Sequence, residues 1–288
     1  MAQTYDRTTQ DVGNILCMEH VNVTVPDQSI ATTFYVEGLG FTRDPYMMVN
    51  TDNMWVNLGE QQFHLPTREQ QVLRGHIGLV VPDLESLKQR LEGVKTKLKG
   101  TKFKCADNKD YVSVTGPWGN KFHCYAPQAK FGGMTLGIPY VEFAVEPGTA
   151  SGIARFYKQV FNTPAKAKKD GKLEVAHVCA GSTQTLVFRE SKKDLPSYDG
   201  HHFAVYVADF SGPHKFLKKH DLITQESDAH QYRFEDLVDP KTGKKLFKIE
   251  HEVRSLYHPM YGRERGFVNR NPVQNLRAYS RGRDAYVA

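Results

Sequence analysis

The stretch HVNVTVPD at residues 20–27 shows the pattern from which the chain is built. Apolar and polar residues alternate in it, as in a strand with one buried face, and it ends in a Pro-Asp turn. A second copy, GHIGLVVPD, occupies residues 75–83. A pattern with helical spacing follows each copy and stops at a glycine, Gly38 in the first case and Gly93 in the second. The repeat predicts a strand–helix unit that is used more than once.

Two further units are predicted in the second half of the chain. VEFAV at residues 141–145 and FAVYVAD at residues 203–209 show the same alternation, and each precedes a helical pattern. Short strand-like segments separated by turn residues follow the helices. The order βαβββ is therefore predicted four times, as units 1 to 4 in chain order. Because the curved sheet of one unit cannot bury both of its faces, we expect the units to pair.

Four segments resemble the signature segments of the vicinal-oxygen-chelate superfamily, which includes glyoxalases, bleomycin-resistance proteins and extradiol dioxygenases. They are HVNVTVPD at 20–27, FYVEGLGF at 34–41, GHIGLVVPD at 75–83 and GPWGNKFH at 116–123. The resemblance implies an α+β fold in which four βαβββ units pair into two domains with curved, partly open mixed sheets. The expected domains are residues 15–130 and 136–256, followed by a basic, aromatic arm at 257–288.

Residues 1–130 contain four histidines, and each lies on a predicted strand. They are His20, His64, His76 and His123. Strand alternation places each imidazole opposite the apolar face of its strand. In the resembled superfamily, two units form a cup in which the first and last strands of each unit hold a divalent metal. The resemblance therefore implies a four-histidine metal site in the first domain, although most members supply at least one glutamate where this chain has His123.

The type of ligand limits which metal ion is expected, and neighbouring polar residues are candidates for other roles. Imidazoles suit one divalent transition metal such as Zn, Ni, Co or Fe(II), whereas Mg and Ca prefer oxygen ligands. Asn22, Asn57 and Gln62 are candidates for binding the substrate. With no glutamate in the four positions, His123 and Tyr125 are candidates for catalytic proton transfer.

The corresponding positions of the second domain hold Tyr140, Val187, His202 and Glu250. Because valine cannot bind a metal, we expect no complete metal site there. Strand parity places further polar side chains on the same face as His202, namely Glu142, Arg189, Tyr206 and Glu252. These side chains are either a metal-free pocket for a polar ligand or paired charges in a decayed site. The polar and aromatic stretch at 227–234 is a candidate for a loop over one of the two cups.

The formal net charge of +6 is concentrated at the C-terminal end. Residues 254–288 contain seven arginines against two acidic residues, interleaved with aromatic rings. Such an arm suits wrapping around the body or a sister subunit better than binding nucleic acid, so a homodimer through the arm is an expectation. Four scattered cysteines and the lack of a long apolar run predict a cytoplasmic protein with reduced thiols and no membrane segment.

Three classes of function follow from the resemblance. The leading hypothesis is a metal-dependent isomerase or lyase whose small substrate chelates the ion through neighbouring oxygens and reacts through an enolate-like intermediate. The alternative is a non-haem Fe(II) dioxygenase of the ring-cleaving or a related type. Relatives of that type usually carry two histidines and one carboxylate in the second domain, whereas this chain has its histidines in the first. The third class is a non-catalytic protein that binds a metal or a small molecule, as bleomycin-resistance proteins do.

Overall fold

The computed structural model describes residues 5–44, 47 and 52–262, and it contains the four predicted βαβββ units. Unit 1 consists of β1 (Ile15–Asn22), α1, β2 (Thr42–Arg43), β3 (Asn53–Leu58) and β4 (Gln61–Pro66), where α1 is α-helical over Gln28–Ala31 and π-helical over Thr32–Gly38. Unit 2 consists of β5 (Gly75–Val80), α2 (Leu84–Val94), β6 (Lys104–Asp107), β7 (Val112–Thr115) and β8 (Lys121–Tyr125).

The second half of the chain repeats this order. Unit 3 consists of β9 (Tyr140–Val145), α3 (Ala150–Val160), β10 (Ala165–Asp170), β11 (Leu173–Cys179) and β12 (Thr185–Glu190). Unit 4 consists of β13 (His202–Val207), α4 (Ser211–Lys219), β14 (Ile223–Asp228), β15 (Gln231–Val238) and β16 (Lys245–Ser255). The α+β class and the paired mixed sheets are confirmed. The stretch at 227–234 is a β-hairpin rather than the expected loop.

The units pair in an order that differs from the expectation. Sheet A joins units 1 and 4 in the order β14-β15-β16-β13-β1-β4-β3-β2, and sheet B joins units 2 and 3 in the order β10-β11-β12-β9-β5-β8-β7-β6. In each sheet the two first strands run antiparallel side by side, β1 against β13 and β5 against β9. The expected pairing of consecutive units is therefore wrong, and the boundaries 15–130 and 136–256 do not delimit the two sheets.

Polar side chains make contacts between the paired strands and between the two sheets. The side chain of Asn14, just before β1, donates to the carbonyl of Asp209 at 3.0 Å, just after β13. The side chain of Gln184 bridges the two sheets, because its amide donates to the carbonyls of Met18 at 3.0 Å and Ile138 at 3.1 Å. Since all four first strands show the same alternation, the hydrophobic pattern alone does not distinguish their possible partners.

The apolar faces of both sheets meet in one core. Phe63 of sheet A lies 5.9 Å from Phe122 of sheet B, and Phe143 of sheet B lies 5.9 Å from Phe203 of sheet A, as distances between ring centroids. Because successive side chains of a strand point to opposite faces, this packing leaves the alternate residues of both sheets facing away from the shared core. Each sheet therefore presents a second, polar face, here called cup A for sheet A and cup B for sheet B.

The C-terminal arm is described only as far as residue 262. Met260 is buried, and the ring of Tyr261 lies 5.0 Å from that of Tyr206 on β13. Residues 263–288, and with them the expected homodimer contact, lie outside the described residues. In the described part, no helix combines the length and the apolar character needed to cross a bilayer.

The pairing of units 1 and 4 predicts how fragments behave. A fragment of residues 1–133 leaves the inner edges of β1 and β5 without their partner strands, so we expect it not to form a stable monomer. Co-expression with residues 134–288 should restore a folded complex that co-purifies and unfolds cooperatively, as measured by gel filtration and circular dichroism. A 1–133 fragment that unfolds cooperatively as a monomer would show that consecutive units pair.

Candidate metal site in cup A

The structure divides the four predicted histidines between the two cups. His20 on β1 and His64 on β4 lie in cup A, where their ring centroids are 5.8 Å apart. His76 on β5 and His123 on β8 lie in cup B, where their ring centroids are 3.9 Å apart. The predicted four-histidine site is therefore wrong, because units 1 and 2 belong to different sheets.

Strand register shows which residues of unit 4 are equivalent to those of unit 1. His20 and His202 both lie near one end of the first strand of their unit, beside Gln62 and Glu250 respectively on the last strand. Two residues further along, Asn22 pairs with His64 and Ala204 pairs with Glu252. Glu252 is thus the counterpart of His64, two residues beyond the Glu250 that the sequence predicts. Cup A therefore contains the glutamate that the four-histidine set lacked.

His20, His202 and Glu252 form a buried cluster. Each offers a ligand atom, and these atoms all lie within 4.8 Å of one another. The ring centroids of the two histidines are 5.9 Å apart, and His202 Nε2 lies 3.6 Å from a Glu252 carboxylate oxygen. In the described part of the chain, these residues are the one group of three or more potential metal ligands with this spacing.

The two histidines leave nitrogen atoms that suit a cation. Nδ1 of His20 lies 2.8 Å from a Glu19 oxygen, which assigns the proton to Nδ1 and the lone pair to Nε2. Nδ1 of His202 lies 3.1 Å from Glu250. Among the described residues, Nε2 of either histidine has no hydrogen-bond partner, although both atoms are buried. Because such atoms are costly unless they bind something, and carboxylates commonly orient ligating histidines in this way, the residues fit a bound metal ion.

His64 faces the same cluster but is held differently. Its Nε2 lies 2.7 Å from the Asn53 side-chain oxygen, and its ring stacks on Trp55 at 3.9 Å. A proton on Nε2 leaves Nδ1 as the free acceptor. Burial lowers the pKa of His64 well below its usual value, and His20 and His202 lower it further. His64 is therefore a neutral imidazole that can act as a fourth ligand or as a base.

Two arginines hold the carboxylates of cup A. The buried Arg254 guanidinium lies 2.7 Å from Glu19 and 2.5 Å from Glu252, and Arg233 forms ion pairs with Glu250 and Glu252. Burial alone would raise the pKa of Glu252, but Arg254, the neighbouring imidazole of His202 and Arg233 together hold it well below the usual value. With three carboxylates and two guanidiniums, this group is formally negative and attracts a cation.

The predicted substrate-binding residues also lie in sheet A. The Gln62 amide donates to Asp44 and to Asn57, both at 2.6 Å. Asn22 is buried beside His202 on the neighbouring strand. By contrast, the predicted catalytic candidates His123 and Tyr125 belong to sheet B. They are therefore separated from the cluster in cup A.

Glu19, Arg233 and Arg254 were not predicted as site residues. Alternation along β16 carried a usable signal, because Glu250, Glu252 and Arg254 share one face. Glu19 carried no such signal, because regular alternation places it and His20 on opposite faces of β1. A register shift between Met18 and His20 marks a bulge in β1, which allows neighbouring side chains to meet.

The predicted second-domain pocket is also divided. His202 and Glu250 lie in cup A, whereas Tyr140, Glu142 and Arg189 lie in cup B. In cup B the register places Tyr140 at the position equivalent to His202 and Val187 at the position equivalent to Glu252. The expected lack of a metal site at Tyr140 and Val187 remains a prediction for this cup.

The sequence matches no protein-family profile and no curated protein. Among solved structures, a "putative dioxygenase" from Bacillus subtilis subsp. subtilis str. 168 aligns with a TM-score of 0.55 and 13% identity over 84% of this chain and 86% of its own. Glyoxalase I from Zea mays aligns with a TM-score of 0.54 and 14% identity over 83% of this chain and 92% of its own. At these identities the similarity shows the fold. The chain has the vicinal-oxygen-chelate fold, with four βαβββ units in two paired sheets, as its sequence motifs predict.

Removing the Arg254 guanidinium should destabilise the protein strongly. In Arg254→Met, two buried carboxylates each lose one of their charged partners, and we expect a loss of about 3–5 kcal/mol in the free energy of unfolding, measured by urea denaturation with a chelator present. The control Lys97→Met removes an exposed ion pair with Glu37 and should cost roughly 0–1 kcal/mol.

The loss of unfolding free energy caused by Arg254→Met should be smaller at acidic pH. Without the guanidinium, we expect burial to raise the folded-state pKa values of the carboxylates above those of the wild type, so at about pH 5 the folded variant binds more protons than the folded wild type and recovers part of the loss. Equal losses in Arg254→Met and Lys97→Met, or an Arg254→Met loss that grows at acidic pH, would contradict this description of the site.

Proposed function

We propose that this chain is a metal-dependent enzyme in which His20, His202 and Glu252 hold one divalent transition metal in cup A. The observation that carries the proposal is the pair of buried, unpartnered Nε2 atoms next to an ionised carboxylate. When bound, the ion would act as a Lewis acid that draws two neighbouring oxygens of a small substrate into the cup and stabilises the charge that develops on them.

The chain's own residues would prepare this site. Glu19 fixes the orientation of His20, and Arg254 fixes Glu19 and Glu252 in turn. Trp55 and His64 form an aromatic wall beside His20, with ring centroids 4.9 Å and 5.8 Å from the His20 ring. A planar substrate can lie against such a wall while its oxygens face the cluster.

Non-haem Fe(II) dioxygenase chemistry is the first candidate. Two histidines and one carboxylate are the ligand set typical of Fe(II) oxygenases. The two arginines keep Glu252 ionised and weakly basic, which suits a permanent ligand better than a proton acceptor. The sequence argued against this class because its four predicted histidine ligands all lie in the first half of the chain. This argument no longer applies, because cup A combines His20 with His202 and Glu252 from the second half.

Isomerase or lyase chemistry is the second candidate, and His64 is the residue that favours it. His64 occupies the position equivalent to Glu252, so it can complete a four-ligand set. As a neutral imidazole in a buried site, it can alternatively accept a proton from carbon. The two candidates thus differ in the role they assign to one side chain.

Metal content tests the site directly. We expect purified wild-type protein to bind close to one equivalent of metal, and His20→Ala/His202→Ala to bind essentially none, because two of three ligands are lost. The matched control His76→Ala/His123→Ala removes two histidines from cup B and should retain the metal. The measurement is elemental analysis after dialysis, with circular dichroism to verify folding. Metal lost only from the cup B variant would refute the proposal.

The role of His64 separates the two chemistries. For the dioxygenase, we expect His64→Ala to lower metal affinity less than threefold, and Fe(II)-loaded wild type to consume oxygen with a catechol, whereas Zn-loaded protein does not. For a four-ligand isomerase or lyase, His64→Ala should weaken the metal about tenfold or more, a loss of at least roughly 1.4 kcal/mol. A metal that binds without turnover of catechols or α-hydroxyketones would favour the binding protein instead.

A further inference from the structure

Cup B contains a cavity that the proposed reaction does not use. It has a volume of about 410 Å³ and is lined by residues that include Tyr125, Lys130, Phe131, Tyr140 and Val187. This volume falls in the range of small-molecule sites, which are concave and mostly apolar with a few polar groups. The cavity therefore has the size of a binding site. Tyr140 and Val187 lie in it at the positions that are equivalent to His202 and Glu252 of cup A.

The polar groups of cup B form a continuous chain. The hydroxyl groups of Tyr125 and Tyr140 lie 3.0 Å apart, and Tyr140 lies 3.1 Å from Nε2 of His76. Burial lowers the pKa of His76 to about 4, with Arg189 and Lys121 lowering it further, so its imidazole is neutral at pH 7. A neutral chain of two phenols and an imidazole can both donate to and accept from a ligand hydroxyl.

The rest of the cup is aromatic. The ring of His123 lies 3.9 Å from His76 and 4.3 Å from Tyr111, and the ring of Tyr125 lies 5.1 Å from Phe131. Side chains of this kind offer flat apolar faces together with polar edges. The surfaces of cup B are therefore suited to a planar ring more than to a flexible chain.

The cavity lining contains one cation, Lys130, and one carboxylate, Glu142. The ammonium of the exposed Lys130 lies 4.6 Å from the ring centroid of Tyr125 and 4.8 Å from that of Phe131. Arg189 pairs with Glu142 and Asp170, so the charge of Glu142 is balanced within the cup. The Lys130 ammonium instead lies on the rings of the cavity lining. Because an ammonium at a cavity rim attracts an anion, the charge selects for a ligand with a negative group.

We propose that cup B is a second, metal-free binding site for a small aromatic carboxylate. The ring lies among Tyr125, Phe131 and Tyr140, the carboxylate faces Lys130, and a ring hydroxyl joins the Tyr125–Tyr140–His76 chain. The proposal goes beyond the reaction proposed for cup A and does not depend on it, because the two cups are built from different units. The same fold thus provides one site with metal ligands and one site with phenols in their place.

Titration calorimetry with 4-hydroxybenzoate as the probe tests the proposal on the full chain with metal removed by a chelator. We expect saturable binding at one site. Benzoate lacks the hydroxyl, and 4-hydroxybenzyl alcohol lacks the carboxylate, so each should bind about tenfold more weakly, the effect of one hydrogen bond to a charged or buried group. Equal binding of all three compounds would refute the assigned contacts.

Two variants locate the probe in cup B. Lys130→Ala should weaken 4-hydroxybenzoate about tenfold but leave 4-hydroxybenzyl alcohol unchanged, and Tyr140→Phe should weaken 4-hydroxybenzoate but leave benzoate unchanged. Lys219→Ala and Tyr257→Phe, which change exposed side chains elsewhere, are the matched controls and should bind like the wild type. Lys130 is exposed, so its variant remains informative if Tyr140→Phe fails to fold.

A third variant separates the two cups. His20→Ala/His202→Ala should bind 4-hydroxybenzoate as the wild type does, whatever its metal content. The proposal is overturned if the wild type binds no probe at millimolar concentration, if binding disappears in this variant, or if binding requires added Zn or Fe(II). A variant that loses its metal but still binds the probe would support the binding site in cup B. The failure of one proposal can therefore be distinguished from the failure of the other.

Discussion

The antiparallel pairing of β1 with β13 is the contact on which the candidate metal site depends. It places His20 opposite Ala204 and Asn22 opposite His202, so histidines from opposite halves of the chain reach one cluster. A slip of one residue would turn one histidine toward the core, because side chains alternate between the faces of a strand. The contact of Asn14 with Asp209 at the ends of these strands and that of Gln184 with Met18 within β1 would be lost in such a slip.

The buried charges of cup A are better explained by their effect on side-chain orientation than by a contribution to the stability of the fold. Bringing Glu19, Glu252 and Arg254 out of water carries a desolvation penalty that their mutual attraction only partly offsets, and an apolar core of similar volume is often at least as stable. What the network provides is orientation, since one guanidinium fixes both the carboxylate of the cluster and the carboxylate that holds His20. That arrangement suits a site whose ligands must stay ionised and correctly directed.

The two cups place different side chains at equivalent positions of one repeated unit. Equivalent positions hold His20 and His76, and His64 and His123, so the first half of each cup is alike. The difference comes from unit 3, which has Tyr140 and Val187 where unit 4 has His202 and Glu252. Tyrosine and valine thus stand in cup B where cup A has a histidine and a glutamate, and the rings and hydroxyl groups of cup B lie beside them. Fold alone therefore does not define the chemistry of either cup.

The sequence by itself determined the four βαβββ units, the superfamily fold and the inward parity of the histidines, because alternation and turn residues act over a few neighbouring positions. It could not determine which units share a sheet, since four first strands with the same alternation are equally suited to pair with one another. Only the tertiary structure decided that His20 meets His202 and Glu252 instead of His76 and His123. It also decided that a bulge brings Glu19 to His20, which no regular alternation predicts. Local patterns specify elements, whereas the site depends on contacts between residues far apart in the chain.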